Sequence, residues 1–262
     1  MCAESARGAG PRRVGVLGGT FDPVHLGHIR SAREIAEAFS LDVVRLVLAA
    51  RPPHKPSGAS AAAEDRWQML ILAVAEAECS GEIAPGLVVP CDIELRRSSP
   101  SWTVDTLREL SANDPEGELF FIVGSDAYAE VDTWSRPGEL LALANVIVTS
   151  RPGRQGFEHT PLPPVAARAQ ARYDSSIGVY VHTSGHQVRG HGIRGIEVSS
   201  TEIRRRVRLG LPVQSMTGPA VARFIADHGL YQSDSQPSVA GQRPAAGELG
   251  NQPSGAGKHC KE

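Results

Sequence analysis

Four short, mainly apolar runs most constrain what this chain can fold into: Val14–Leu17, Val43–Ala50, Leu119–Val123 and Asn145–Thr149. The first three end in Gly18-Gly19, Arg51-Pro52-Pro53 and Gly124. A run that is apolar throughout, rather than at alternate positions, reads as a strand covered on both faces. Helical periods separate the runs. His25 to Phe39 places Leu26, Ile29, Ala32, Ile35, Ala36 and Phe39 on one side, and Glu64–Glu78, Ser101–Ser111 and a segment opened by Pro137 also read as helices. Leu87–Pro90 and Ile93–Leu95 read as one bent strand, and Val179–His182 as a fifth buried one. The expectation is α/β, a doubly wound parallel sheet with helices on both faces. A small helical part closes it. Ser199-x-x-Glu202 forms a capping box for a helix through Arg208, stopped by Gly210, and Pro219 starts another that Gly229 ends. Gly185–Gly195 reads as an exposed loop carrying His186 and His191, with His182 just before it.

Both ends are expected to lie outside this fold. Residues 1–12 are small and polar, and 232–262 hold no aromatic and almost no branched apolar side chain to offset the entropy of ordering. The domain is therefore placed at 13–231. Among 262 residues, 41% are hydrophobic and 21% charged, which is ordinary for a globular chain. A formal net charge of -2 provides no general attraction to nucleic acid or an anionic membrane. Cys2, Cys79, Cys91 and Cys260 form no C-x-x-C pair, which argues against a disulfide framework and a zinc site. No apolar run approaches the roughly 20 residues that span a bilayer. These features predict a cytoplasmic protein.

In an open parallel sheet, ligands bind beyond the carboxyl ends of the strands where strand order reverses. The places to search are Gly18–His28, Arg51–Lys55, Gly124–Asp126 and Arg151–Gly153. The first reads GGTFDPVHLGH and passes from a strand into a helix. Gly18 and Gly19 let the backbone approach a phosphate, and the helix adds its positive end. His25 and His28, three apart, share the first helical turn and can donate to charge growing on a polyphosphate. Gly27 leaves space for a flat base or ribose, and Asp22 reads as the helix cap. Gly-Gly alone would be a turn and His-x-x-His alone a surface or metal pair. No third ligand lies at a familiar spacing, so no protein-held metal is expected.

These eleven residues resemble the (T/H)xGH signature of the nucleotidylyltransferase superfamily. RPPHK at 51–55, DIELRRSSPSWTVDTL at 92–107, FIVGSDAYAEVDTW at 121–134, ANVIVTSRPG at 144–153 and VSSTEIR at 198–204 narrow the likeness to bacterial nicotinate-nucleotide adenylyltransferases across about 13–231. The resemblance implies a Rossmann-like fold with His25 and His28 as the catalytic pair on the ATP phosphates. Gly18, Gly19, Thr20 and Phe21 would line the nucleotide cradle. Ser199, Ser200, Thr201 and Arg204 would form a second phosphate-binding motif, whereas Arg205 and Arg206 read as a solvated face. Asp126 either holds nucleotide hydroxyls or caps a helix. On the acceptor side, Trp134 would stack on a pyridine ring, Thr103 would receive its carboxylate, Arg151 would bind the substrate phosphate, and Lys55 would assist. Trp102 stands where the family usually has Tyr, and Ser99 where Gly is common.

The implied reaction joins ATP and nicotinate mononucleotide to give nicotinic acid adenine dinucleotide and pyrophosphate, with magnesium carried mainly by the ATP phosphates. Nicotinamide mononucleotide and pantetheine phosphate are rival acceptors, and a non-catalytic nucleotide-binding regulator is a rival class. A class I aminoacyl-tRNA synthetase shares a His-x-Gly-His element, but this chain has no Lys-Met-Ser-Lys-Ser motif or basic RNA-binding domain. Homo-oligomerisation is left open, and neither nucleic acid nor membrane is expected as a partner.

Overall fold

The computed structural model describes residues 10–52, 58–150, 160–194 and 196–232. The strands are β1 (Arg13–Gly19), β2 (Val43–Leu48), β3 (Val88–Cys91), β4 (Glu118–Gly124), β5 (Asn145–Thr149), β6 (Ala171–Asp174), β7 (Val179–His182) and β8 (Gln187–His191). The helices are α1 (Leu26–Ala38), α2 (Ala63–Cys79), α3 (Thr103–Asn113), α4 (Ser125–Tyr128), α5 (Leu140–Leu143), α6 (Ser200–Arg208), α7 (Gln214–Thr217) and α8 (Pro219–Asp227). The strands form one sheet in the order β3-β2-β1-β4-β5-β8-β7-β6.

Strand alternation divides the core into two layers. Val14, Val16, Phe121, Val123, Val146 and Val148 face α3, α4 and α5. Val44, Leu46, Leu48, Phe120 and Ile122 face α1, α2 and α8. Helices therefore cover both faces, as strands with apolar residues at successive positions require. From β1 the chain steps outward to β2 and β3, then crosses back to β4 on the other side. Strand order reverses between β1 and β4, so their carboxyl ends flank a natural ligand crevice.

Three expectations need correction. The sheet is parallel from β3 to β8, but β7 and β6 are antiparallel. Their connections hold Gly178 at φ 69° and Gly185 at φ 92°, which suits tight hairpins, and links this short cannot make a parallel crossover. Residues 187–191 are not an exposed loop but β8, paired in parallel with β5. Their sequence is polar except for Val188, which is 0% exposed, and the Asn145 side chain accepts the Gln187 N–H at 2.9 Å. Ile93–Leu95 forms a turn, with Leu95 N–H donating to the Asp92 carbonyl at 2.9 Å. Pro137 does open a helical segment, a 3-10 turn (Pro137–Glu139) that runs into α5. Residues 1–9 and 233–262 of the expected tails lie outside the described residues, whereas the Arg12 carbonyl already accepts the Glu118 N–H at 2.8 Å.

Gly15 shows how closely β1 is covered. A Cβ there would lie 2.9 Å from Leu41 Cδ1, 3.0 Å from Val44 Cγ2 and 3.2 Å from Ile122 Cδ1. Overpacking of this kind costs about 1–3 kcal/mol. Gly15→Val should therefore lower the unfolding free energy by that amount, read as a lower urea midpoint with an unchanged slope; an unchanged midpoint would mean the layer yields freely.

Candidate active site

Beyond the carboxyl end of β1, the chain turns through Thr20 to Pro23 before α1 begins. Phe21 takes φ 46° and folds its buried ring back, so a Cβ on Gly19 would lie 2.9 Å from that ring. Gly19 is therefore required by packing. Gly18 and Gly124 differ: a Cβ on either would meet nothing within 4 Å. The exits of β1 and β4 thus present bare backbone to open space where strand order reverses, the surface a phosphate chain needs.

His25 occupies the N-cap position of α1, and His28 lies one turn on. Their rings stack at 3.6 Å with 19° between planes, and Phe21 meets His28 edge-on at 4.9 Å. The His25 backbone N–H donates to His28 Nδ1 at 3.2 Å. That bond makes His28 Nδ1 an acceptor, so Nε2 carries the proton in the neutral ring. His25 is 7% exposed, and its Nδ1 is buried without a partner. Burial lowers the His25 pKa to about 4, although a backbone hydrogen bond opposes the shift. Burial and then repulsion from His25 hold His28 well below the usual histidine range. Both rings are neutral at pH 7. A Cβ at Gly27 would lie 3.0 Å from His25 ring atoms, so the imidazole fills the space expected for a base or ribose.

Asp22 does not cap α1. Its buried carboxylate accepts the N–H groups of Ser60 and Ala61 at 2.7 and 3.1 Å and the Tyr231 hydroxyl at 2.9 Å. Burial and the adjacent Asp22 charge push the Tyr231 phenol far up. The second motif closes on the same turn. Ser200 Oγ donates to the Pro23 carbonyl at 2.9 Å, and Arg204 to the Asp22 carbonyl at 2.6 Å. Ser199 Oγ caps α6 by accepting the Glu202 N–H at 3.2 Å, while Thr201 Oγ accepts from Arg204 at 3.3 Å. The two stretches, nearly 180 residues apart, therefore meet. Ser200 and Arg204, however, already spend donors on the turn as well as flanking the crevice. Arg205 pairs with Glu202 at 2.7 Å on the exposed side, consistent with a solvated face.

On the acceptor side, Thr103 opens α3, and Trp102 before it supplies no side-chain cap. The loop after β2 is joined to this helix start: Arg51 N–H donates to Ser101 Oγ at 3.1 Å, and the Arg51 carbonyl accepts Ser101 N–H at 3.1 Å. Trp134 is half-buried, edge-on to Phe121 with centroids 6.0 Å apart. Arg136, two residues on, donates to Asp105 of α3 at 2.5 Å, which ties the Trp134 loop to the Thr103 turn. Asp126 is exposed in the first turn of α4, whose N-cap position belongs to Gly124, so it is not the cap. Lys55 and Arg151 lie outside the described residues.

Arg66 is the site residue that pattern reading missed. It is 2% exposed and donates to the carbonyls of Thr20 at 2.7 Å, Ala49 at 2.9 Å, Ala50 at 3.3 Å and Ala61 at 3.1 Å. It thus braces the exits of β1 and β2 against each other. A charged residue on the α2 face that also carries buried Met69, Leu70 and Ala73 was the available signal. Tyr231 gave none beyond being the last aromatic residue of the chain.

The depressed histidine pKa values make stability depend on pH. An unfolded histidine binds its proton near pH 6.5, whereas His25 resists until about 4. The stabilising contribution is full above pH 6.5 and is lost as pH falls through 4. The melting temperature should fall over that window, and His25→Asn should flatten the slope. Parallel slopes for the two proteins would show that His25 is not buried as described.

Comparison with known proteins places this geometry in context. The cytidylyltransferase-like family model matches residues 16–206. A protein of Thermus thermophilus, described as a probable nicotinate-nucleotide adenylyltransferase, is 41% identical over 220 residues, covering 84% of this chain and 100% of its own. One of Geobacter metallireducens with the same description is 36% identical over 224 residues, covering 85% and 99%. Among solved structures, the Plasmodium falciparum nicotinic acid mononucleotide adenylyltransferase complexed with NaAD superposes with a TM-score of 0.62 at 18% identity, covering 84% of this chain and 97% of that one. That likeness supports the fold. Among the described residues, no helix is long and apolar enough to cross a membrane.

Proposed function

The chain belongs to the cytidylyltransferase-like family and, within it, to the nicotinate-nucleotide adenylyltransferases, and from that premise we propose that it transfers the adenylyl group of ATP to nicotinate mononucleotide. The products are nicotinic acid adenine dinucleotide and pyrophosphate, a step of NAD biosynthesis. The observation that carries the reading is the neutral, stacked His25–His28 pair beside two bare strand ends at the point of strand reversal.

ATP lays its phosphates across Gly18, Gly19, Thr20 and Phe21, where backbone amides and the start of α1 favour negative charge. His28, with Nδ1 held by the His25 N–H, presents Nε2–H as a donor to the phosphates, and buried His25 supports it. A neutral donor here need not lose a proton. Ser199, Ser200, Thr201 and Arg204 close the phosphate side from α6, and Asp126 beyond β4 takes nucleotide hydroxyls. Thr103 and the first turn of α3 receive the pyridine carboxylate, Trp134 stacks on the ring, and Arg151 and Lys55 bind the acceptor phosphate.

An acceptor phosphate oxygen attacks the α-phosphorus in line. A new P–O bond forms as the bond to the bridging oxygen breaks, and pyrophosphate leaves with that electron pair. The attacking oxygen is already anionic, so no protein nucleophile or base is needed. Catalysis is positioning plus electrostatic stabilisation. ATP serves as its magnesium complex, with the ion held by phosphate oxygens and water. Dependence on ATP also favours a cytoplasmic setting.

Pyrophosphate release, measured with ATP and each of nicotinate mononucleotide, nicotinamide mononucleotide and pantetheine phosphate, tests the assignment. Turnover should be highest with nicotinate mononucleotide; turnover with pantetheine phosphate alone would replace the acceptor while keeping the chemistry. Loss of one transition-state donor lowers turnover by about 10²–10³. His28→Ala should fall in that range, and near-normal turnover would remove His28 from catalysis.

A further inference from the structure

We propose that this chain forms a two-fold dimer by pairing β6 with β6 of a second copy, extending the eight-stranded sheet across the axis. β6 is the last strand of the sheet, and among the described residues only β7 pairs with it. The backbone is set for such pairing. Thr183 N–H donates to the Gln170 carbonyl at 2.9 Å, and the register sets Arg172 opposite Val181 and Tyr173 opposite Tyr180. Antiparallel ladders alternate, so Gln170, Arg172 and Asp174 turn their N–H and C=O groups toward β7. Those of Ala171 and Tyr173 point out of the sheet edge. Exposed edges with unpaired backbone groups are templates for another strand.

Charge selects the occupant. With the two-fold axis at Tyr173, antiparallel pairing sets Arg172 directly opposite the partner's Asp174, and Asp174 opposite the partner's Arg172. Every charge in the strand then meets its opposite, twice, on one face. Both Ser176 bonds to Asp174 fall on Oδ1, and the exposed Arg172 side chain, which makes no hydrogen bond among the described residues, already attracts Asp174 of its own strand and helps hold that carboxyl below its usual range. The other face carries Tyr173, 53% exposed, with its ring 5.1 Å from that of Tyr180. Pairing would extend these two aromatic rings into a ladder of four. Ile177, 52% exposed in the adjoining turn, adds apolar surface at each end. Such a pattern complements itself only in this register and only through a two-fold axis, as an isologous interface requires. A strand pair this short buries little area, so association should be weak, at micromolar concentrations.

Sedimentation velocity of the full chain over about 1–100 μM, the range in which weak interfaces assemble, provides the test. The wild type should pass from monomer to dimer. R172D and D174R each set like charges opposite one another at two positions and should weaken dimerisation about 10²-fold. Mixed in equal amounts, the two variants carry opposite charges throughout and should form a heterodimer. A monomeric wild type, single variants that dimerise as the wild type does, or a mixture that stays monomeric would each overturn the proposal.

Discussion

Asp22 is a carboxylate almost entirely removed from water, and the site is arranged around keeping it satisfied. Its donors come from the connection before α2, from the end of the domain at Tyr231 and, through the adjacent carbonyl, from Arg204 on α6. A buried charge that loses its partners costs on the order of 3–5 kcal/mol, a large share of the 5–15 kcal/mol that holds a typical domain together. The phosphate turn is therefore no independent loop. Its geometry, and with it the direction of His25 three residues on, depends on segments that share no local sequence with it.

Arg66 provides a second fixed point for the same turn, from inside the protein. Three of its four bonds to carbonyls join the exits of β1 and β2, which would otherwise end as bare acceptors at the rim of the sheet, and the fourth holds Ala61 before α2. Asp22 and Arg66 together make the crevice stiff before any ligand arrives. Stiffness matters where the chemistry is positioning, because a displacement of about 1 Å can cost 10²-fold in rate.

The sheet centre and both helix layers were legible because Val14–Leu17 and Leu119–Val123 are apolar throughout and Val43–Leu48 is interrupted only by half-buried Arg45, and burial on two faces demands that. The far edge was not. β8 hides Val188 among Gln187, Arg189, Gly190 and His191, and its burial comes from tertiary pairing with β5 rather than from composition. At the site, the clustering of Gly18, Gly19, His25 and His28 in one turn could be read directly. The donors of Ser200 and Arg204 reach Pro23 and Asp22 across almost the whole chain, and no local pattern records that. Asp22 resembled a helix cap because a short acidic residue before a helix usually is one. Only its actual neighbours show the other duty.

The bond from Tyr231 to Asp22 spans 209 positions, nearly the full length of the described chain. Contacts so distant in sequence form late, after loop closure has been offset elsewhere. On the ribosome, β1 and the histidine turn emerge well before the hydroxyl that completes the Asp22 shell, which is among the last of the described groups to be synthesised. A nascent or truncated chain can possess every phosphate-binding residue of the first motif and still lack its fixed geometry. The fixed geometry of the phosphate turn thus depends on residues just past α8, almost the whole described chain away from it.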